Sequence, residues 1–205
     1  SRMRPWKTGL RTAILGTLIA AGLSGCAAAV IGGGLAASSI TDRRSAGSQA
    51  DDQVMELHVK SKAQSILRRS SYGGFKPSVA VVSYNRRLLL LGQVASQADR
   101  QTVERIARAE RSAAAVFNHI SVVPNARTVA DISNDTSITA RVRANLLNVP
   151  GVYPGHVKVV TYAGVTYVMG MLSPEQQAAV NQRVSTTPGV ISVVTLYENF
   201  TESPY

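Results

Sequence analysis

The chain has 205 residues, a formal charge of +10 and only 5% aromatic residues. That length holds one or two small domains, and their cores must be aliphatic. The single cysteine, Cys26, excludes an intramolecular disulfide, so stability rests on packing.

Arg4, Lys7 and Arg11 open the chain with positive charge, and Thr12 to Gly22 follows as a short apolar run. Leu23-Ser24-Gly25-Cys26 comes next, with small residues before the cysteine. The arrangement resembles a bacterial lipoprotein precursor. The resemblance implies a signal peptide over 1–25, cleavage before Cys26, and acyl chains on Cys26 as the only attached group. Ala27, rather than Asp, after Cys26 implies the outer membrane. Two other readings stay open. The apolar stretch continues past Cys26 to Ile40, long enough for the ~20 residues that a membrane anchor needs, and simple cleaved secretion uses the same features. Gly32-Gly33-Gly34 with Ser38 and Ser39 argues against a long helix, and 26–50 reads as a flexible tether.

Cleavage removes 25 of the 205 residues and leaves 180, and Arg2, Arg4, Lys7 and Arg11 go with them, so the charge falls from +10 to +6. A basic protein held at a membrane meets anionic lipid head groups. The export signal excludes nucleic acid as a partner.

The remaining chain repeats itself. Val79-Ala80-Val81-Val82-Ser83-Tyr84 recurs 78 positions later as Val157-Lys158-Val159-Val160-Thr161-Tyr162. Each run meets a two-residue break, Asn85-Arg86 or Ala163-Gly164, and then a second apolar run that ends in Gly92 or Gly170. Such a pair of runs reads as a β-hairpin, and the closing glycine as a place where backbones approach closely.

A helix precedes each hairpin. The first is expected over Asp52 to about Arg69, with Asp51-Asp52 at its cap and Val54, Leu57, Ser61 and Ile66 inward. The second is expected to be capped at Asn134 or Asp135, with Ile138, Val142, Leu146 and Leu147 inward. Another helix follows each hairpin. Ser96 with Asp99 starts one; Ser173, Pro174 and Gln176 start the other as a capping box, and Pro188-Gly189 ends it. A last strand closes each unit, over Val116–Val123 and Val190–Tyr197, parallel to one hairpin strand because a crossover helix intervenes. Each unit is therefore αββαβ. The fold class is α+β, with two units over 51–124 and 132–200, each a three-stranded mixed sheet with two helices packed on it. A single unit is marginal by itself, and the short linker Pro124 to Ile132 brings the two together.

The lipobox, the doubled αββαβ order, Tyr84 through Val94, and Val159–Tyr162 with Val168-Met169-Gly170 together resemble the dual BON-domain outer-membrane lipoproteins. The resemblance covers nearly all of the chain after Cys26. It implies two tandem BON domains, a lipid-anchored position facing the periplasm, and support of envelope integrity. It also implies binding of anionic phospholipid through the first helix of the second domain.

Catalytic signatures are missing from the sequence. His58, His119 and His156 lack metal-ligand spacing, and there is no nucleophile elbow, phosphate loop or zinc-protease motif. The reading is non-enzymatic, with no metal and no small-molecule substrate. In the helix that the resemblance points to, the candidate lipid-binding residues are Ser137, Ile138, Arg141, Val142 and Arg143. Arginines reach head-group phosphates with several donors, and exposed aliphatic residues dip into the interface. The same spacing of Ile138, Val142 and Leu146 equally describes a core stripe. The resemblance implies a position often occupied by Trp where this chain has Ser137, which removes an interfacial anchor. Arg43-Arg44, in the tether, offers a further membrane contact. A second reading is a periplasmic scaffold that docks envelope proteins for outer-membrane assembly or cell-wall amidase regulation, and a third is a cell-wall-binding module.

Overall fold

The computed structural model describes residues 42–70 and 74–201. Leu23, Ser24, Gly25, Cys26 and the Gly32–Gly34 stretch lie outside the described residues. The described chain runs α1 (Ala46–Leu67), β1 (Ser78–Tyr84), β2 (Arg87–Val94), α2 (Gln97–Arg108), β3 (Ala115–Asn118), β4 (Ser121–Val122), α3 (Val129–Leu146), β5 (Val157–Tyr162), β6 (Val165–Leu172), α4 (Pro174–Ser185) and β7 (Ser192–Asn199). Two copies of αββαβ are present, and the fold is α+β.

Each hairpin turns through residues of positive φ: Asn85 (50°) with Arg86 (63°), and Ala163 (49°) with Gly164 (81°). These are the dihedrals of a two-residue type I′ turn, whose twist matches that of the strands. β1 pairs antiparallel with β2, and β5 with β6; the last strand of each unit runs parallel to β2 or β6, which is central in its sheet. The closing glycines are where the strands crowd. A Cβ on Gly92 would sit 2.1 Å from the carbonyl oxygen of Ser78, and one on Gly170 2.7 Å from that of His156.

The first unit's last strand is broken, unlike the expected run of Val116–Val123. The Arg100 guanidinium donates to the carbonyls of Asn118 and Ile120, both at 2.9 Å, and the Asn118 side chain accepts from Ile120 N. Those groups leave the ladder, and pairing resumes at β4.

Both first helices begin earlier than expected. Ser45 caps α1, and Thr128 with Asp131 forms a full capping box on α3. Asp52 and Asp135 are consequently not caps but buried residues within the helices, 1% and 2% exposed. The inward face of α1 is Met55, Val59, Ala63 and Leu67, in helical step with Asp52. Val54 and Leu57, expected inward, are exposed at 63% and 70%, and Leu147 of the second unit is exposed as well. The turn-capping task of Asp52 decides which face of α1 points inward.

Strand alternation builds three cores from two sheets. On β2, Leu88 and Leu90 face α1 and α2, whereas Leu89 and Leu91 face the other unit. On β6, Val168 and Leu172 face α3 and α4, whereas Tyr167 and Met169 face the first unit. The sheets therefore pack face to face, and the layers run helix, sheet, sheet, helix. Leu88-Leu89-Leu90-Leu91 is a continuous apolar run because both sides of β2 are covered.

Polar bonds fix the junction. The Tyr84 hydroxyl donates to the Gly155 carbonyl at 2.9 Å, and Asn85 donates to Glu198 at 2.9 Å. Lys158 pairs with Glu56 and also donates to the Ser83 carbonyl. Burial holds the Tyr84 hydroxyl's pKa well above its ordinary value. His119 packs edge-on against Tyr167 across the junction, with ring centres 5.3 Å apart.

Burial, and then the charge of Arg100, lower the His119 pKa below 6.5. The folded state therefore favours the neutral ring relative to the unfolded chain. The stability that this contributes is full above the unfolded pKa of about 6.5 and is lost as pH falls through it toward the folded value. The urea midpoint of the wild type is expected to exceed that of His119→Asn more at pH 7.5 than at pH 5.5. A gap that stays constant would assign the acid sensitivity elsewhere.

Candidate membrane-contact site

Helix α3 lies on the outside of the second unit. Its inward residues are Asp135, Ile138, Thr139, Val142 and Leu146. Ile138 is 1% exposed and Val142 0%, so neither can enter a bilayer, and the expectation that they dip into lipid is corrected: the helix needs both to cover β5 and β6.

Ser137 and Arg141 are exposed and adjacent. One guanidinium nitrogen of Arg141 donates to Ser137 Oγ at 3.1 Å and another to the Pro188 carbonyl at 2.7 Å. A guanidinium has five N–H donors, so capacity remains for a phosphate. Arg143 sits on the opposite flank of the helix, half-buried, and donates to the Val159 carbonyl at 3.3 Å. Burial lowers its pKa. The two arginines are not presented together.

The outward face of α3 otherwise carries Val129, Ile132, Ser133, Thr136 and Ala140. Val129 is 84% exposed and Ile132 43%. From Ile132 to Leu147 the one carboxylate is Asp135, which points inward, so this stretch shows no negative charge to solvent. Beside the N-terminal half of α3 lies a cleft of about 370 Å³, lined by Gln93, Arg127, Asp131, Asn134, Gly164 and Ile191 among others. Ile191 is 82% exposed there and lies over Gly164.

Asp52 and Asp135 form matched clamps that the sequence reading did not assign. Asp52 accepts from Ser83 Oγ at 2.7 Å, Asn85 N at 2.8 Å, Arg86 N at 2.7 Å and Arg44 at 2.9 Å. Asp135 accepts from Ala163 N at 2.8 Å, Gly164 N at 2.9 Å and Arg127 at 2.7 Å. Each carboxylate caps the turn of its own hairpin. Arg44 lies over the Tyr84 ring at 4.4 Å, and Arg127 over Tyr162 at 3.9 Å. A signal existed: an arginine eight residues before an aspartate occurs at Arg44/Asp52 and again at Arg127/Asp135. The helix pair is offset by 83 and the hairpins by 78, so an ungapped comparison misses it.

Arg43 and Arg44, expected in a loose tether, are both engaged by the folded protein. Arg44 is held by Asp42, Asp52 and Tyr84, while Arg43 reaches the second unit. It donates to the Met171 carbonyl at 2.7 Å and to Gln176 at 2.9 Å, and lies over the Phe200 ring. The segment expected to be loose tether thus ends as a clasp on both units.

Among the described residues no group of three or more His, Cys, Asp or Glu could hold a metal ion, and no helix is long and apolar enough to cross a membrane.

The chain matches the BON domain family over residues 58–124 and 134–196. It is 32% identical over 177 residues to the outer membrane lipoprotein DolP of Haemophilus influenzae, covering 86% of this chain and 89% of that one. It is 30% identical over 153 residues to the 21 kDa hemolysin of Actinobacillus pleuropneumoniae, covering 75% and 76%. Among solved structures it aligns with CdsD, a structural protein of the type III secretion system of Chlamydia trachomatis, at 12% identity and a TM-score of 0.29, covering 60% of this chain and 85% of that one. With both αββαβ units matched, the chain belongs to the BON-domain family and carries the domain twice.

Proposed function

We propose that this protein is an outer-membrane lipoprotein, anchored by acyl chains on Cys26 and facing the periplasm, that binds anionic phospholipid through its second BON domain and so supports envelope integrity. The role is non-catalytic binding and uses no cofactor beyond the covalent lipid. The outer-membrane assignment is supported by the similarity to DolP and by the Leu23-Ser24-Gly25-Cys26 signal.

The observation that carries the lipid reading is the outward face of α3. It exposes Arg141, Val129 and Ile132 and no acidic side chain from Ile132 to Leu147. Acyl chains provide strong but unselective attachment, and a basic protein face adds preference for anionic regions. Without an aromatic at Ser137, contact is shallow and rests on charge.

Residues 37–205 form one compact unit suited to a vesicle test. This fragment is expected to sediment with phosphatidylglycerol or cardiolipin vesicles and not with phosphatidylcholine. Arg141→Glu weakens binding roughly tenfold or more, because a surface cation contributes about 1 kcal/mol and the charge is reversed. Ser137→Trp strengthens it severalfold by restoring an interfacial ring. Equal sedimentation with charged and neutral vesicles would leave the scaffold reading in its place.

A further inference from the structure

The outer face of α1 has a composition that its core role does not explain. Val54 is 63% exposed and Leu57 70%, one turn apart. Lys60 and Lys62, two residues apart, are exposed on opposite flanks of that face, and Arg69 is exposed just past the helix end. All three carboxylates of this helix are committed to other protein groups. Asp51 pairs with Arg86 at 2.8 Å, Asp52 caps the hairpin turn, and Glu56 pairs with Lys158 while accepting from Ser83 N. The exposed face is left apolar at its middle and cationic on its flanks, with one carboxylate, Glu110 from beyond α2, brought to it by a pairing with His58. That is the chemistry of a helix lying in the head-group layer of an anionic bilayer.

The fold gives this face a definite direction. α1 belongs to one outer layer and α3 to the other, with both sheets between them. A bilayer seated on α3 leaves α1 pointing away from it.

We infer that the outer face of α1, centred on Val54 and Leu57 with Lys60 and Lys62 on its two flanks, is a second contact for anionic phospholipid surfaces, so that the protein is bivalent and joins two such surfaces. The inference rests on the α3 reading for its first contact. Two opposed contacts on one rigid body convert binding into bridging, whereas one contact cannot cluster vesicles at any affinity.

The test is vesicle clustering by the 37–205 fragment, read by dynamic light scattering beside sedimentation, with the fragment's mass checked by light scattering in free solution. The wild type is expected to be monomeric, to cluster phosphatidylglycerol vesicles and to leave phosphatidylcholine vesicles dispersed. Lys60→Glu with Lys62→Glu lies on the surface and is expected to keep the fold, with circular dichroism as the check. It is expected to lose clustering while retaining sedimentation through α3. Arg141→Glu likewise loses clustering while residual sedimentation persists through α1. The inference is overturned if the wild type sediments without clustering, if the double variant clusters as well as the wild type, or if clustering follows dimerisation of free protein. Failure to sediment at all overturns the α3 reading and this inference together, and is distinguished from the other failures by the sedimentation arm.

Discussion

Asp52→Ala is expected to destabilise the protein by ~3–5 kcal/mol, as removal of one partner from a buried ion pair does. The carboxylate is 1% exposed and serves two backbone N–H groups, the Ser83 hydroxyl and Arg44 at once. Alanine leaves the Arg44 guanidinium with Asp42 and the Tyr84 ring but without its buried carboxylate, and the turn N–H groups of Asn85 and Arg86 unsatisfied. The turn residues already sit at positive φ without being glycine, so the carboxylate also holds a conformation that Asn and Arg adopt reluctantly. Urea unfolding measures the loss. Asp52→Asn is expected to fall between, since it still accepts but no longer carries the charge facing Arg44. A wild-type midpoint for Asp52→Ala would remove the clamp from the account of this fold. Asp135→Ala is the matched experiment in the second unit, with Arg127, Ala163 and Gly164 as the groups left behind.

Leu89→Ala is expected to cost about 2–5 kcal/mol, the range for truncating a buried leucine. Leu89 is 0% exposed, yet it does not face the helices of its own unit; it lies in the core shared by the two sheets, with Tyr84, Tyr162, Tyr167 and Met169. The cost therefore falls on both units. Unfolding is expected to remain a single transition in the wild type, with hydrogen exchange in β2 and β6 slowing and quickening together. Leu89→Asp is expected to go further and separate the units, because it places an unpaired charge in that core. Two independent transitions in the wild type would mean that the sheet-to-sheet contact contributes little, against the continuous burial of β2 on both sides.

Local elements were legible because local chemistry specifies them. The two hairpins follow from alternation around Asn85-Arg86 and Ala163-Gly164, and α4 from the capping box of Ser173 and Gln176. Gly92 and Gly170 mark close backbone approach, as their place at the strand ends implies. The inward face of α1 was misread because two apolar stripes compete on that helix. Val54 and Leu57 are as hydrophobic as Met55 and Val59, and periodicity alone does not choose between them. Asp52 chooses, through bonds to a turn more than thirty residues away in the chain, which helix spacing cannot reveal. Arg43 was misplaced for the same reason: its partners Met171, Gln176 and Phe200 lie in the other unit.

On the candidate site the division is similar. Sequence alone established the doubled αββαβ order, the absence of catalytic signatures and the basic character of the chain, because composition, caps and two-residue turns act over a few neighbouring residues. Tertiary structure decided that Ile138 and Val142 belong to the core, that Arg141 and Arg143 lie on opposite flanks of α3, and that α1 and α3 face away from each other. Those outcomes depend on which side of each sheet a neighbour covers. The alternating strands offer two apolar faces, and only the packing of one unit on the other determines which becomes the shared core.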